Sequence, residues 1–324
     1  MRWMVYGAGA VGGVLGGLLH EAGHDVVLVA RGAHLDVLRR DGLTLASPAG
    51  TRTIDVPAAG DAREALDAGA GEPVTVLLTV KSHQTQTAVE DLTSVLPATT
   101  PVVSLQNGVA NEPSLLRFFE DVQGVCVMMP TGHLEPGVVE QHSAPVPGIL
   151  DVGRFPGGTD ATSEAVAAAF RDAGFVSEPR PDVMAWKHRK LMMNLGNAVQ
   201  ACCTPGPDAD DLARRAVAEG EAALGAAGIP VVGVARDRER RGDLLRVAPV
   251  AGRERGGGSS WQSLRRATGS IETDYLNGEV VRLGRLHGVP TPANALLQAT
   301  ARRLAATGGE PGSVPAADLL ARLA

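Results

Sequence analysis

The chain has 324 residues, 44% of them hydrophobic and 20% charged, with a formal net charge of −6. That length suits two domains with sizeable cores and excludes wholesale disorder. The acidic balance and the 3% aromatic content exclude nucleic acid or an anionic membrane as the main partner.

In chain order, the first half alternates short β-rich runs with helical stretches, the pattern of a mainly parallel sheet covered by helices. The apolar runs predict strands at Trp3–Tyr6, Asp25–Val29, Val74–Thr79, Val102–Leu105 and Val125–Met129. Ser47–Val56 reads as an extra hairpin or loop, Gly148–Val152 as a late strand and Ala161–Ala173 as a closing helix. From about Pro181 the pattern becomes helical, over Ala185–Cys202, Asp210–Ala227, Ser259–Thr268, Ile271–His287 and Pro292–Ala306. A boundary at Pro179–Pro181 divides the chain into a 1–180 dinucleotide-binding domain and a 181–324 helical domain for substrate and catalysis. Arg236–Gly258, rich in Arg, Gly and Pro, reads as a mobile connection. Glycine interrupts the apolar start at Gly7, unlike a secretory signal, and no run approaches the ~20 apolar residues a membrane helix needs. Three cysteines, two of them adjacent at Cys202 and Cys203, form neither a disulfide framework nor a metal-ligand spacing. A cytoplasmic chain without a catalytic metal is expected.

The first chemical signal is Gly7-Ala8-Gly9-Ala10-Val11-Gly12, which follows a strand and opens a helix. Gly7 permits the tight turn, Gly9 clears the approach of a pyrophosphate, and Gly12 lets helix and strand pack closely. The helix start, with the N–H groups of Ala10, Val11 and Gly12, offers a partial positive charge to phosphate oxygens. A tight turn without a ligand is the alternative. At the end of the second strand, Arg31 stands where an NAD enzyme commonly carries Asp or Glu. A guanidinium there pairs with a 2′-phosphate and favours NADPH/NADP+ over NADH; a solvated loop arginine is the bland reading.

In the second half, Lys190, Asn194 and Asn197 fall at i, i+4 and i+7 and share one helical face. A lysine flanked by amides beside the apolar stripe Leu191, Leu195, Ala198 and Cys202 can protonate a carbonyl oxygen. The same face also reads as merely solvated.

The chain resembles the ketopantoate reductases. The resemblance rests on the strand followed by GAGAVG, Val80-Lys81, Gln106-Asn107-Gly108, and Lys190-Leu191-Met192-Met193-Asn194. Ser259-Ser260, the run Ile271-Glu272-Thr273-Asp274-Tyr275-Leu276-Asn277-Gly278 and the ending His287–Asn294 extend it to about Leu297. It implies an α/β protein with an N-terminal Rossmann domain, doubly wound and mainly parallel. The C-terminal domain would be all-α, of the 6-phosphogluconate dehydrogenase C-terminal type. It implies NADPH-dependent reduction of a 2-oxo acid, ketopantoate to pantoate in pantothenate biosynthesis. Lys190 would then donate the proton to the keto oxygen, and Glu272 would hydrogen-bond the substrate and position Lys190. Ser260 would hold the substrate carboxylate, and Asn194 a hydroxyl or carboxylate, with Asn197 beside it. Asn107 would bridge cofactor and substrate, and Lys81 would sit near the nicotinamide ribose. Helix capping by Glu272 or Ser260 and a plain Asn-Gly turn at Asn107 are the structural alternatives. The reading leaves a homodimer open.

The chain departs from the family's pattern where substrate is held. Ala198 replaces a second asparagine, with Asn197 one place earlier. Ala201–Pro207 lacks a polar Asn-Gly segment, and Trp261 and Leu264 stand where Met and Asp are usual. A reductase of another small keto acid, a 3-hydroxyacid dehydrogenase and a non-catalytic NADP(H) sensor are the competing readings. His133, His142 and His188 lack an acid at a useful spacing.

Overall fold

The computed structural model describes residues 1–67, 69, 71–250, 256–267 and 269–323. Apolar strand runs separated by glycine turns build the N-terminal part. In order they are β1 (Arg2–Tyr6), α1 (Ala10–Glu21), β2 (Asp25–Val29), α2 (Gly32–Asp41), β3 (Leu43–Ser47), β4 (Gly50–Ile54), β5 (Ala58–Ala59), α3 (Ala62–Asp67) and β6 (Val74–Leu78). They continue as α4 (Thr85–Thr93), β7 (Val102–Ser104), α5 (Asn111–Leu115), β8 (Val122–Met128), β9 (Thr131–Gly132), β10 (Val138–Gln141), β11 (Ser143–Pro145), β12 (Ile149–Arg154) and α6 (Ala161–Asp172). Helices follow: α7 (Val183–Asn194), α8 (Gly196–Cys202), α9 (Pro207–Ala226) and α10 (Val234–Arg241). Then come β13 (Leu245–Val247), α11 (Ser259–Arg265), a 3-10 turn at Glu272–Tyr275, α12 (Asn277–His287), α13 (Pro292–Thr307) and α14 (Ala316–Ala321).

Two compact units result. The first comprises Met1–Asn107, Asn111–Met184 and Ala235–Arg255, the second Gly108–Ala110, Ala185–Val234 and Gly256–Ala324. The core of the first is a seven-stranded sheet in the order β12-β8-β7-β6-β1-β2-β5, parallel except where β12 runs against β8. Its strands are apolar on both faces, as a doubly covered sheet requires. Val5, Val26, Leu28 and Leu77 pack with Val14, Leu15 and Leu19 of α1 and Phe170 of α6. The alternate residues Met4, Tyr6, Val27, Val29, Val76 and Leu78 pack on the other face with Ala62, Ala65, Ala88, Val89 and Leu92 of α3 and α4.

The Ser47–Val56 stretch forms the second arm of a hairpin, β3 with β4, inside a smaller sheet of order β4-β3-β10-β9. The structure differs from the sequence reading over Arg236–Gly258, of which 251–255 lie outside the described residues. There β13 and all of α10 after Val234 belong to the first unit. Arg240 donates to both carboxylate oxygens of Asp151 in β12 (2.8 and 2.6 Å), which also accepts from Arg180 at 3.1 Å. A buried carboxylate demands such partners, and β13 adds antiparallel pairing with β11. The predicted Ser259–Thr268 helix ends at Arg265 in the structure, and Thr268 lies outside the described residues.

The second unit is helical. Glu219 of α9 accepts from the backbone N–H groups of Ala293 (2.7 Å) and Asn294 (2.9 Å), neutralising the start of α13. Asn294 accepts from Asn277 at 3.0 Å, and Asn277 also donates to the Leu195 carbonyl at 3.3 Å. That carbonyl sits between α7 and α8, so the predicted single helix Ala185–Cys202 becomes two segments in near-continuous helical geometry (Leu195 φ −61°, ψ −32°). Among the described residues, no helix is long and apolar enough to cross a membrane.

Candidate functional site

In the first unit, the sequence-marked residues gather at the carboxyl ends of adjacent strands. Gly7 follows β1, Arg31 lies just beyond β2, Lys81 follows β6 and Asn107 follows β7, with β7, β6, β1 and β2 consecutive in the sheet. The helix after β1 covers one face and the helices around β6 the other, so the strand order reverses between β1 and β6. A ligand crevice forms at such a switch point.

The turn after β1 is built on backbone. Gly7 has φ +113°, and a Cβ there would lie 2.8 Å from the Val80 nitrogen. The Gly7 and Ala8 N–H groups both donate to the Val29 carbonyl at 3.0 Å, binding the turn to β2. A Cβ on Gly12 would overlap the Gly7 carbonyl oxygen and the Thr79 hydroxyl, so close helix–strand contact requires glycine. Gly9 is different: its φ is −74°, and a Cβ would meet no heavy atom within 4 Å. Nothing in the chain demands glycine there, and the open room suits the approach of a ligand. The first intrahelical bond is Gly13 N–H to the Gly9 carbonyl at 2.7 Å. The Ala10, Val11 and Gly12 N–H groups therefore lie ahead of the ladder, with no side-chain cap and no acidic residue in the first turn. Such a helix start attracts anions.

A polar web fixes the next two loops. Gln106 donates to the Val80 carbonyl (2.9 Å) and to the Thr85 hydroxyl (2.8 Å), which donates to Asn111 (2.9 Å); Asn111 in turn donates to the Ser82 hydroxyl (3.1 Å). The segments carrying Lys81 and Asn107 are thereby tied together. Arg31 is exposed and donates from Nη2 to the Tyr6 hydroxyl at 3.0 Å.

In the second unit, Lys190 is half-buried and Asn194 is buried on consecutive turns of α7, with Asn197 half-buried in α8. Ser260 is buried within the first turn of α11, whose capping position is Gly258, so Ser260 is not the cap that sequence allows. Gly258 donates to Gln200 at 2.9 Å, drawing the start of α11 against α8. Glu272 is buried at the start of the 3-10 turn, where Ile271 holds the capping position.

Sequence reasoning passed over three residues whose surroundings the structure shows. Burial lowers the pKa of Arg266, and the carboxylate of Glu272 opposes that fall. Lys187, one turn before Lys190, is only 3% exposed. Its place at i−4 to Leu191, a buried stripe position, was the available signal. Tyr6, read only as strand, proves to be the partner of Arg31. His142, which spacing left without an acid, lies 3.1 Å from Glu140 Oε2.

A sheet of this winding with a glycine turn at its switch point has the form of a dinucleotide-binding fold, and the same chain continues into a helical unit that carries Lys190, Asn194 and Asn197. The family described as "Ketopantoate reductase PanE/ApbA" matches residues 3–157, and "Ketopantoate reductase PanE/ApbA C terminal" matches residues 182–305. The chain belongs to the ketopantoate reductase family, whose members are oxidoreductases acting on CH–OH groups and use NADPH. It is 30% identical to a 2-dehydropantoate 2-reductase of Halobacterium salinarum, over 90% of this chain and 95% of the relative. It is 26% identical to that of Pyrococcus horikoshii, covering 95% and 99% respectively. Among solved structures, a PanE/ApbA family ketopantoate reductase from Ralstonia eutropha JMP134 superposes with TM-score 0.79 at 30% identity, covering 95% of this chain and 99% of that one.

Proposed function

We propose that this chain catalyses NADPH-dependent reduction of a 2-oxo acid to a 2-hydroxy acid, with ketopantoate as substrate and pantoate as product. The observation that carries this reading is the match of the family's two parts to both halves of the chain, 3–157 and 182–305. When bound, NADPH supplies the hydride. The start of α1, from Ala10 to Gly12 and beside the open room at Gly9, would hold the pyrophosphate, and Arg31 would pair with the 2′-phosphate. Lys81 would steady the nicotinamide ribose, and Asn107 would hydrogen-bond both cofactor and substrate.

Lys190 donates a proton to the keto oxygen as negative charge develops there, the point at which a positioned donor stabilises the transition state most. Glu272 hydrogen-bonds the substrate and keeps the Lys190 ammonium directed. Ser260 receives the substrate carboxylate, and Asn194 and Asn197 orient the rest of the acid. Ala198 and Trp261 reshape that end of the substrate site, so the tolerance for other 2-oxo acids belongs to the same test. Three buried cysteines that form no disulfide suit a cytoplasmic setting, and a role in pantothenate biosynthesis follows from the proposed product.

The test follows consumption of NADPH by its absorbance, with ketopantoate beside a panel of 2-oxo acids. Turnover of ketopantoate with the highest kcat/KM is expected. Binding of NADPH without turnover on any acid would overturn catalysis in favour of sensing. Oxidation of a 3-hydroxy acid with NAD would overturn the 2-oxo acid assignment.

A further inference from the structure

We infer that Tyr6 is a positioning residue that sets cofactor choice, holding the Arg31 guanidinium outward for a 2′-phosphate through a phenol relay to Asp91. The inference rests on the reading of Arg31 as the 2′-phosphate partner. Tyr6 is the last residue of β1 and only 2% exposed, and its ring packs into the α3–α4 face of the sheet. Its hydroxyl donates to Asp91 Oδ2 at 2.6 Å and accepts from Arg31 Nη2 at 3.0 Å. Asp91 is itself fixed, because the same oxygen accepts the Ala62 N–H at the start of α3 at 3.0 Å. Burial, with Asp91 next in weight, pushes the phenol well above its ordinary pKa. Tyr6 therefore stays a neutral donor toward Asp91 and a neutral acceptor toward Arg31.

Interposing a neutral hydroxyl has a consequence that direct pairing would lack. An Asp–Arg salt bridge would neutralise the guanidinium and compete with an incoming phosphate. Here the carboxylate is reached only through the phenol. Arg31 makes no salt bridge among the described residues, and its other N–H groups carry no hydrogen bond there. The side chain is thus anchored at one nitrogen and left charged, with donors for a phosphate. Anchoring removes in advance part of the rotamer entropy that a free arginine loses on binding.

The variant Tyr6→Phe keeps the ring in the core and removes only the hydroxyl. NADP+ and NAD+ affinities are measured by titration for the full chain, for Tyr6→Phe, for Arg31→Ala and for the double variant. Tyr6→Phe is expected to weaken NADP+ by about threefold to tenfold while leaving NAD+ unchanged. In the Arg31→Ala background it should alter the preference no further. Asp91→Ala, which leaves the phenol in place but unanchored, should shift the preference in the same direction by a smaller factor. It provides the reading if Tyr6→Phe folds poorly. Equal weakening of both cofactors would overturn the inference, since a purely structural tyrosine does that. So would an unchanged preference in Tyr6→Phe while Arg31→Ala abolishes it. A preference untouched by Arg31→Ala would instead remove the underlying assignment of Arg31, and the inference with it.

Discussion

The two units hold their chemistry by different means. In the first, the candidate site is mostly backbone: a left-handed Gly7, a helix start without a side-chain cap, and glycines whose missing Cβ atoms make room. In the second it is all side chain, with Lys190 on α7, Ser260 in α11 and Glu272 on a 3-10 turn. The packing there is set by a hydrogen-bonded run from the half-buried Glu219 through the buried Asn294 and Asn277 to the Leu195 carbonyl. A backbone site is damaged by adding atoms, and a side-chain site by removing them. That difference dictates which substitutions separate binding from turnover.

The largest effect is expected in the helical unit. Lys190→Ala removes the proposed proton donor and should lower kcat by about 10²–10⁴-fold, the usual worth of a general acid. NADPH affinity should stay close to that of the parent chain, because the residues assigned to the cofactor all lie in 1–107. Stopped-flow reduction and a separate fluorescence titration of NADPH give the two numbers. Equal loss of both would show that the lysine serves cofactor binding, and the division of labour between the units would fail.

Glycine variants sharpen the same comparison within the first unit. Gly12→Ala forces a methyl group onto the Gly7 carbonyl and Thr79 hydroxyl, overpacking of a kind that costs about 1–3 kcal/mol. Its thermal midpoint should drop. Gly9→Ala enters open space at an ordinary φ, so its thermal midpoint should match the parent's. Its NADPH Kd should nevertheless rise on the order of tenfold, about 1.4 kcal/mol. A Gly9→Ala protein with unchanged NADPH affinity would show that the space above Gly9 is not where the pyrophosphate sits.

Legibility follows the same physical line. β2 reads as Asp25–Val29 and is found there, because a buried parallel strand is a local apolar run ended by a turn residue. The glycine turn was legible for the same reason: its spacing carries its geometry. The segments that escaped are fixed by distant partners. β10 pairs with β3 from a much earlier part of the chain, and the charged α10 docks because Arg240 meets Asp151, 89 residues away. Lys187, next to the candidate residue Lys190 on α7, sits in a run of four basic or histidine residues, and spacing alone does not say which of them turns inward. Tyr6 read as one more strand residue. Its hydroxyl meets Arg31 and Asp91 only because strand order sets β2 next to β1 and because α4 brings Asp91 to the same sheet face.

The smallest effect concerns a histidine beneath the glycine turn. His34 has both ring nitrogens engaged: Nε2 lies 2.7 Å from the Ala8 carbonyl, and the Gly137 N–H donates to Nδ1 at 2.8 Å. An acceptor at Nδ1 requires the neutral ring with its proton on Nε2. Burial lowers the His34 pKa, and the Ala8 carbonyl only partly opposes that. The unfolded chain takes up this proton near the ordinary value of about 6.5, and the folded chain resists it until lower pH. The stabilisation is therefore complete above the ordinary histidine range and is lost as pH falls through the depressed folded value. Melting profiles of the parent chain should shift downward as pH falls from about 7 to about 5. His34→Gln should start lower but change less over the same interval, because its side chain does not titrate. Parallel slopes for the two proteins would mean that the turn's acid sensitivity arises elsewhere, and that its backbone geometry stands without the ring beneath it.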